Sequence, residues 1–177
     1  MKYIVAFSLI GIIALSGIGI GVFLTIYPLR YKDEIAEAAA TYDLPPELIA
    51  SIIRAESSFR RGAIGPKGEI GLMQLMPSTA AWLAVKMESP GLEKKLDNPR
   101  INITFGAFYM RMMLDRFGDL RTALIAYNAG PTKADRWLDD PNYACDENKV
   151  LLRTPYPSTN AYVAKIMNAK RHYRWRF

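Results

Sequence analysis

The sequence predicts a mainly α-helical domain preceded by one membrane-crossing helix, and three observations carry that expectation. From Ile4 to Tyr27 the run IVAFSLIGIIALSGIGIGVFLTIY holds no charge, and at about 1.5 Å per residue it is long enough to cross a hydrocarbon core of roughly 30 Å. In the rest of the 177-residue chain, apolar residues recur at spacings of three and four between prolines, glycines and capping residues. No stretch alternates apolar and polar residues for long enough to require a sheet. With 50% hydrophobic and 23% charged residues, the composition suits one packed domain rather than a disordered chain.

The expected division is residues 1–31 as anchor and short flank, and 32–177 as the domain. A cleaved signal peptide is the rival reading of the apolar run, but its apolar region is usually shorter, and no clear A-x-A site precedes Tyr27. Lys2 flanks one side and Arg30 and Lys32 the other, so charge leaves the orientation open. Gly17 and Gly21 form a small-xxx-small pair through which two such helices can approach.

Beyond the anchor, YKDEIAEAAATYD has the alanine content of a short helix. LPPELIASIIRAESS places prolines where a first turn tolerates them and Glu47 near the positive end of the helix dipole. Pro77 opens PSTAAWLAVKM, and Asn98 caps PRINITFGAFYMRMMLDRF, which Gly118 stops. Asp119 caps LRTALIAYNA, Gly130 and Pro131 end it, and Ser158 or Thr159 starts a last helix through AYVAKIMNAKRHY. Two segments lack a helical pattern: the glycine-rich loop from Arg60 to Glu69, with room for a short hairpin, and DDPNYACDENKVLLRTPYP.

Cys145 and His172 are each the sole residue of their type, which excludes an internal disulfide and argues against a zinc cluster or a Ser-His relay. Net charge is +6, and the end of the chain, KRHYRWRF, interleaves basic and aromatic residues. A solvated helix end is its plainer reading; acidic lipid or an acidic polymer would also suit it, and nucleic acid fits least beside a membrane segment.

Ile49, Ile52, Ile53 and Glu56 share one helix face, with Arg54 pointing nearly the opposite way. A carboxyl group pushed toward that apolar side has its ionised form disfavoured, and a proton kept near neutral pH is what a general acid needs. Spacing alone leaves the other reading open, in which the last turn faces outward and Glu56 is solvated or paired with Arg60 or Arg61.

Three segments, ESSF, GLMQLMPSTA and AYNAGP, occur in this order on these elements, and together they resemble the signature segments of the lytic transglycosylases with a goose-lysozyme-like fold. The resemblance covers about Asp43 to Arg171 and implies a lysozyme-like helical domain. It implies that Glu56 is the sole catalytic acid and base. Acting on the β-1,4 bond between N-acetylmuramic acid and N-acetylglucosamine in peptidoglycan, Glu56 would protonate the leaving oxygen and then deprotonate the C6 hydroxyl, giving a 1,6-anhydro end. By the same resemblance Ser57, Phe59, Gln74, Met76, Tyr127, Asn128 and Tyr162 contact substrate, with the Tyr127 hydroxyl approaching Glu56. Leu72, Met73 and Leu75 read as core. Glu69, in the loop beside the motif, is the candidate for a second acid, with a solvated loop residue as its favoured reading.

Two positions depart from the family pattern. Gly65 stands where members often carry a substrate-binding serine, and Ser158 where some carry a sugar-binding glutamate. The implied partner is the peptidoglycan glycan strand, with no metal or organic cofactor. The implied location is the bacterial cytoplasmic membrane, single-pass, with the domain on its outer side. A goose-type hydrolase and a non-catalytic wall-binding module remain as alternatives.

Overall fold

Proline at the first helical position opens five of the seven helices found among the described residues, at Pro46, Pro77, Pro99, Pro131 and Pro157. Its missing N–H is one that a helix start leaves unbonded anyway. In this computed structural model, which describes residues 25–145, 147 and 149–177, the elements run α1 Lys32–Thr41, α2 Pro46–Glu56, α3 Pro77–Lys86, a 3-10 turn at Leu92–Lys95, α4 Pro99–Phe117, α5 Leu120–Ala129, α6 Pro131–Leu138, β1 Ala144–Cys145, β2 Val150–Leu151 and α7 Pro157–Tyr173.

The expected caps form. Asn98 accepts the Ile101 N–H at 3.3 Å and Asp119 accepts the Thr122 N–H at 2.8 Å. Gly118 ends α4 at φ 67. Helix α6 was not expected, because the Gly130-Pro131 pair that stops α5 also starts the next helix: Gly130 at φ 93 redirects the chain and Pro131 reopens it. The segment that lacked a helical pattern contains one antiparallel pair, Ala144 with Leu151 and Cys145 with Val150. The glycine-rich loop is held by two isolated bridges, Ile64 with Ile70 and Ile70 with Leu75.

Helix α5 lies at the centre, with every residue from Thr122 to Tyr127 buried, and it touches α4, α6 and α7. Helix α2 buries Leu48, Ile49, Ile52 and Ile53 and packs most extensively on α7, which buries Val163, Ile166, Ala169 and Tyr173. Each large apolar side chain removed from water this way contributes about 1.5–3 kcal/mol. The α2–α7 contact holds the end of α2 rigidly where the site is built.

One expectation is corrected. Among the described residues no helix is long and apolar enough to cross a membrane. The longest, α4 with 19 residues, carries Arg100, Arg111, Asp115 and Arg116. The expected membrane helix, with Gly17 and Gly21, lies outside the described residues except for its last three positions. There Thr25 and Ile26 are helical and Tyr27 bends. Among the described residues the fold is the mainly α domain, and no described helix supports the expected anchor, the membrane as partner or the single-pass placement in the cytoplasmic membrane.

The described flank lies against the domain. Arg54 donates to the Ile26 carbonyl at 2.8 Å and stacks 4.4 Å from the Tyr27 ring centre, and the Tyr173 hydroxyl donates to Pro28 O at 2.7 Å. Part of the basic-aromatic terminus is thus interior: Tyr173 is buried while Trp175 is exposed.

Candidate functional site

Helix α2 ends at Glu56, and Ser58 and Phe59 follow in left-handed conformations at φ 52 and 63. Such values are strained for residues with a Cβ, and for a bulky one most of all. Burial of the Phe59 side chain holds the reversal in place. Ser57 is also buried, its hydroxyl donating to Leu72 O at 2.8 Å with Ile53 O a further 3.1 Å neighbour. Ser57 and Phe59 were expected to contact substrate. They lie in the interior instead, where one ties the end of α2 to the GLMQ loop and the other anchors the turn.

That loop is fixed from below by Asn102 of α4, which is buried and fully bonded. Its Oδ1 accepts the Met73 N–H at 2.8 Å, and its Nδ2 donates to Ile70 O and Leu96 O, both at 2.9 Å. Gly71 sits over this amide at φ 85, where a Cβ would fall 2.1 Å from Asn102 Nδ2. From the α5 side the Tyr127 hydroxyl donates to Met73 O at 3.0 Å. The hydroxyl expected to approach Glu56 lies close enough to feel its charge while spending its proton on the loop backbone, and Tyr127 lines the same cavity as Glu56.

That cavity, of about 500 Å³, is walled by Glu56, Gln74, Met76, Tyr127 and Asn128. These are five of the eight residues expected from sequence. Tyr162 lines an adjoining cavity that shares Glu69 and Asn128 with the first. At the other end a third cavity, around Trp82, shares Thr79 and Tyr109 with it. A groove thus runs over Glu56 from Trp82 to Tyr156, which is a shape suited to an extended ligand.

Burial pushes the Glu56 carboxyl up to about 7, and the nearby negative charge of Glu69 pushes the same way. Tyr162 and the Lys165 ammonium pull it down. The Tyr162 hydroxyl is buried and sits near the carboxyl without reaching a hydrogen bond of ordinary geometry. Lys165 donates to Ala55 O, one residue before Glu56, at 3.1 Å. No ion pair engages Glu56 among the described residues, and Arg60 donates to Ser57 O instead, so the outward, paired alternative does not hold. Burial raises Tyr127 and Tyr162 well above the usual tyrosine range, so both stay neutral donors.

Gln74 uses both amide hydrogens on the loop, toward Ala63 O at 3.1 Å and Gly71 O at 2.9 Å, leaving its oxygen as acceptor. Asn128 receives the Thr159 hydroxyl at 3.0 Å on Oδ1, which leaves its N–H groups for a ligand. Among the described residues no group of three or more His, Cys, Asp or Glu side chains is placed to hold a metal ion.

A family model described as "Transglycosylase SLT domain" matches residues 33–150. The chain belongs to the transglycosylase SLT domain family. It is 30% identical over 152 residues to the soluble lytic murein transglycosylase of Escherichia coli K12, covering 84% of this chain and 24% of that protein. It is 40% identical over 107 residues to the transglycosylase of Enterobacteria phage PRD1, covering 60% of this chain and 37% of that one. Among solved structures, lytic transglycosylase Slt of Pseudomonas aeruginosa, an inactive glutamate-to-glutamine mutant, matches with a TM-score of 0.73 and 29% identity over 85% of this chain and 25% of that one. The chain thus spans about a quarter to somewhat over a third of the length of these relatives.

The sequence reading missed three residues of this groove, Tyr109, Trp82 and Lys165, and gave a fourth, Glu69, too little weight. Tyr109 and Trp82 complete one end of the groove. Lys165 follows Tyr162 by three positions, one turn along the same helix face, and this spacing was available to read. Glu69, read as a solvated loop residue, is partly buried and lines the cavity with Glu56. Only folding of the loop could reveal that.

Proposed function

We propose that this domain is a lytic transglycosylase that cleaves the β-1,4 bond between N-acetylmuramic acid and N-acetylglucosamine in peptidoglycan and leaves a 1,6-anhydromuramic acid end. The observation that carries the reading is the state of Glu56: a partly buried, desolvated carboxyl held at about 7, free of ion pairs among the described residues and opening into an extended groove. Membership of the SLT domain family and the murein transglycosylase names of the relatives support the substrate class. So does the inactivity of a relative lacking a glutamate.

Near neutral pH a large fraction of Glu56 is protonated and acts as the general acid on the glycosidic oxygen. The leaving sugar departs with that proton, and an oxocarbenium-like centre develops at C1. The carboxylate left behind is poorly solvated, which makes it the stronger base. It takes the proton of the C6 hydroxyl as that oxygen closes on C1, and Glu56 returns to its starting state with no water consumed. Tyr162 is placed to hydrogen-bond the carboxylate while it is ionised. Tyr127, Ser57 and Asn102 hold the loop that carries Gln74 and Met76 in register with Glu56.

Digestion of purified peptidoglycan tests the reading, because anhydro-ended muropeptides are lighter by one water than hydrolytic products. Reducing ends would refute it. They would favour a goose-type hydrolase, a second reading supported by the presence of Glu69 as another carboxylate on the cavity wall. Glu56→Gln is expected to abolish product release while the fold persists, which excludes a wall-binding module without activity; unchanged release would remove Glu56 from the role of acid.

A further inference from the structure

Gly65 is not required by its backbone, since its φ is not positive and any residue could adopt its conformation. What it supplies is space. A Cβ there would lie 2.4 Å from Glu69 Oε2 and 2.7 Å from Gln74 Oε1, closer than real Cβ contacts come. The volume that a side chain at position 65 would occupy is filled by the Glu69 carboxylate.

The turn between them is built to hold it there. Gly65 N–H donates to Glu69 O at 2.8 Å, Gly68 N–H donates to Gly65 O at 3.0 Å, and Gly68 takes φ 88. The Lys67 N–H donates to Glu69 Oε2 at 2.9 Å. These bonds fold the carboxylate back over its own turn, where Glu69 walls both the cavity of Glu56 and the adjoining cavity of Tyr162 and Asn128. Its second oxygen, Oε1, accepts no hydrogen bond among the described residues. An ionised acceptor on a groove wall, with one oxygen anchored and the other uncommitted, is arranged to receive a ligand donor.

We propose that Glu69 is a substrate-contacting carboxylate of the groove, seated in the space that Gly65 leaves, where Oε1 accepts a hydrogen bond from an N–H or O–H group of the bound N-acetyl sugar strand. The assignment rests on the lytic transglycosylase reading. It has a second consequence through charge. Glu56 is faced by Tyr162 and Lys165 from α7, by Tyr127 from α5 and by Glu69 from the loop. Of these only Glu69 adds negative charge near neutral pH, so it favours the protonated form of Glu56.

The test uses the full chain on purified peptidoglycan and on defined glycan strands, with Glu69→Ala, Glu69→Gln, Gly65→Ala and the double variant Gly65→Ala/Glu69→Ala. Glu69→Ala is expected to raise KM about tenfold, the worth of one hydrogen bond to a charged group. Glu69→Gln keeps an acceptor oxygen but loses the charge, so its KM rises less and the alkaline limb of its kcat/KM profile moves to lower pH. Gly65→Ala meets the flexible end of Glu69, expels the carboxylate and reproduces the KM rise of Glu69→Ala. Because both act on one contact, the double variant is no worse than the single ones. Wild-type KM and pH profile in the Glu69 variants, or fully additive effects in the double variant, overturn the assignment. A wild-type chain that releases no anhydro ends overturns the function reading itself, whereas normal products with unchanged variants overturn only the role of Glu69.

Discussion

Replacing Glu56 by glutamine should change how stability depends on pH, and the size of the change follows from the burial of the carboxyl. In the folded chain Glu56 holds its proton up to about 7, against an ordinary value of 4.5. Between those two pH values the folded state keeps a proton that the unfolded state has released, so raising the pH favours unfolding. The slope is about 1.4 kcal/mol per pH unit, and across the window the wild type loses roughly 3 kcal/mol. Below the window both states are protonated and the contribution is intact. Above it both are ionised and the loss is complete. Glutamine does not titrate, so Glu56→Gln lacks this slope. Urea unfolding followed by far-ultraviolet circular dichroism, at about pH 4, 6 and 8, measures the stability of both chains. The advantage of the variant over the wild type is expected to grow by roughly 3 kcal/mol from the lowest pH to the highest. A constant difference would show that Glu56 is not held protonated by the fold, and the general-acid assignment would lose its physical basis.

Tyr162→Phe removes a group that pulls Glu56 down, so the alkaline limb of kcat/KM should move to higher pH and the rate should fall about 10- to 100-fold through weaker stabilisation of the ionised state. Its stability, measured by thermal unfolding, should change by less than about 1 kcal/mol, because no full hydrogen bond is lost. Lys165→Met should also move that limb upward, whereas Lys165→Arg should leave it in place; pH–rate profiles of both check the sign. Asn102→Ala strands the Met73 N–H and two carbonyls in the interior, and urea unfolding should show a loss of about 3 kcal/mol. Asn102→Leu should be no milder, since the same backbone groups stay unpaired.

Most of the helices were legible because their ends depend on neighbours in the chain. Asn98, Gly118 and Asp119 act within one turn of their own positions, and each does what its chemistry predicts. Helix α6 was missed because the Gly130-Pro131 pair is at once a stop and a start, and local rules recognised only the stop. At the site, Glu56, Gln74, Met76, Tyr127 and Asn128 line one cavity. Ser57 and Phe59 do not, because a motif records which residues recur together without telling ligand contacts from the supports beneath them. Ser57 uses its hydroxyl on Leu72 O, and Phe59 is core.

By itself the sequence determined a mainly helical domain, the face on which Glu56 lies and the loop that follows it, since periodicity and capping are short-range properties of the chain. Only the tertiary structure decided that the Glu56 carboxyl is desolvated without an ion pair, that Asn102 carries the GLMQ loop, and that Glu69 occupies the space beside Gly65. Each of those depends on atoms brought together from separate elements or folded across a turn, and the desolvation that tunes Glu56 exists only once α2, α5, α7 and the loop have closed around it.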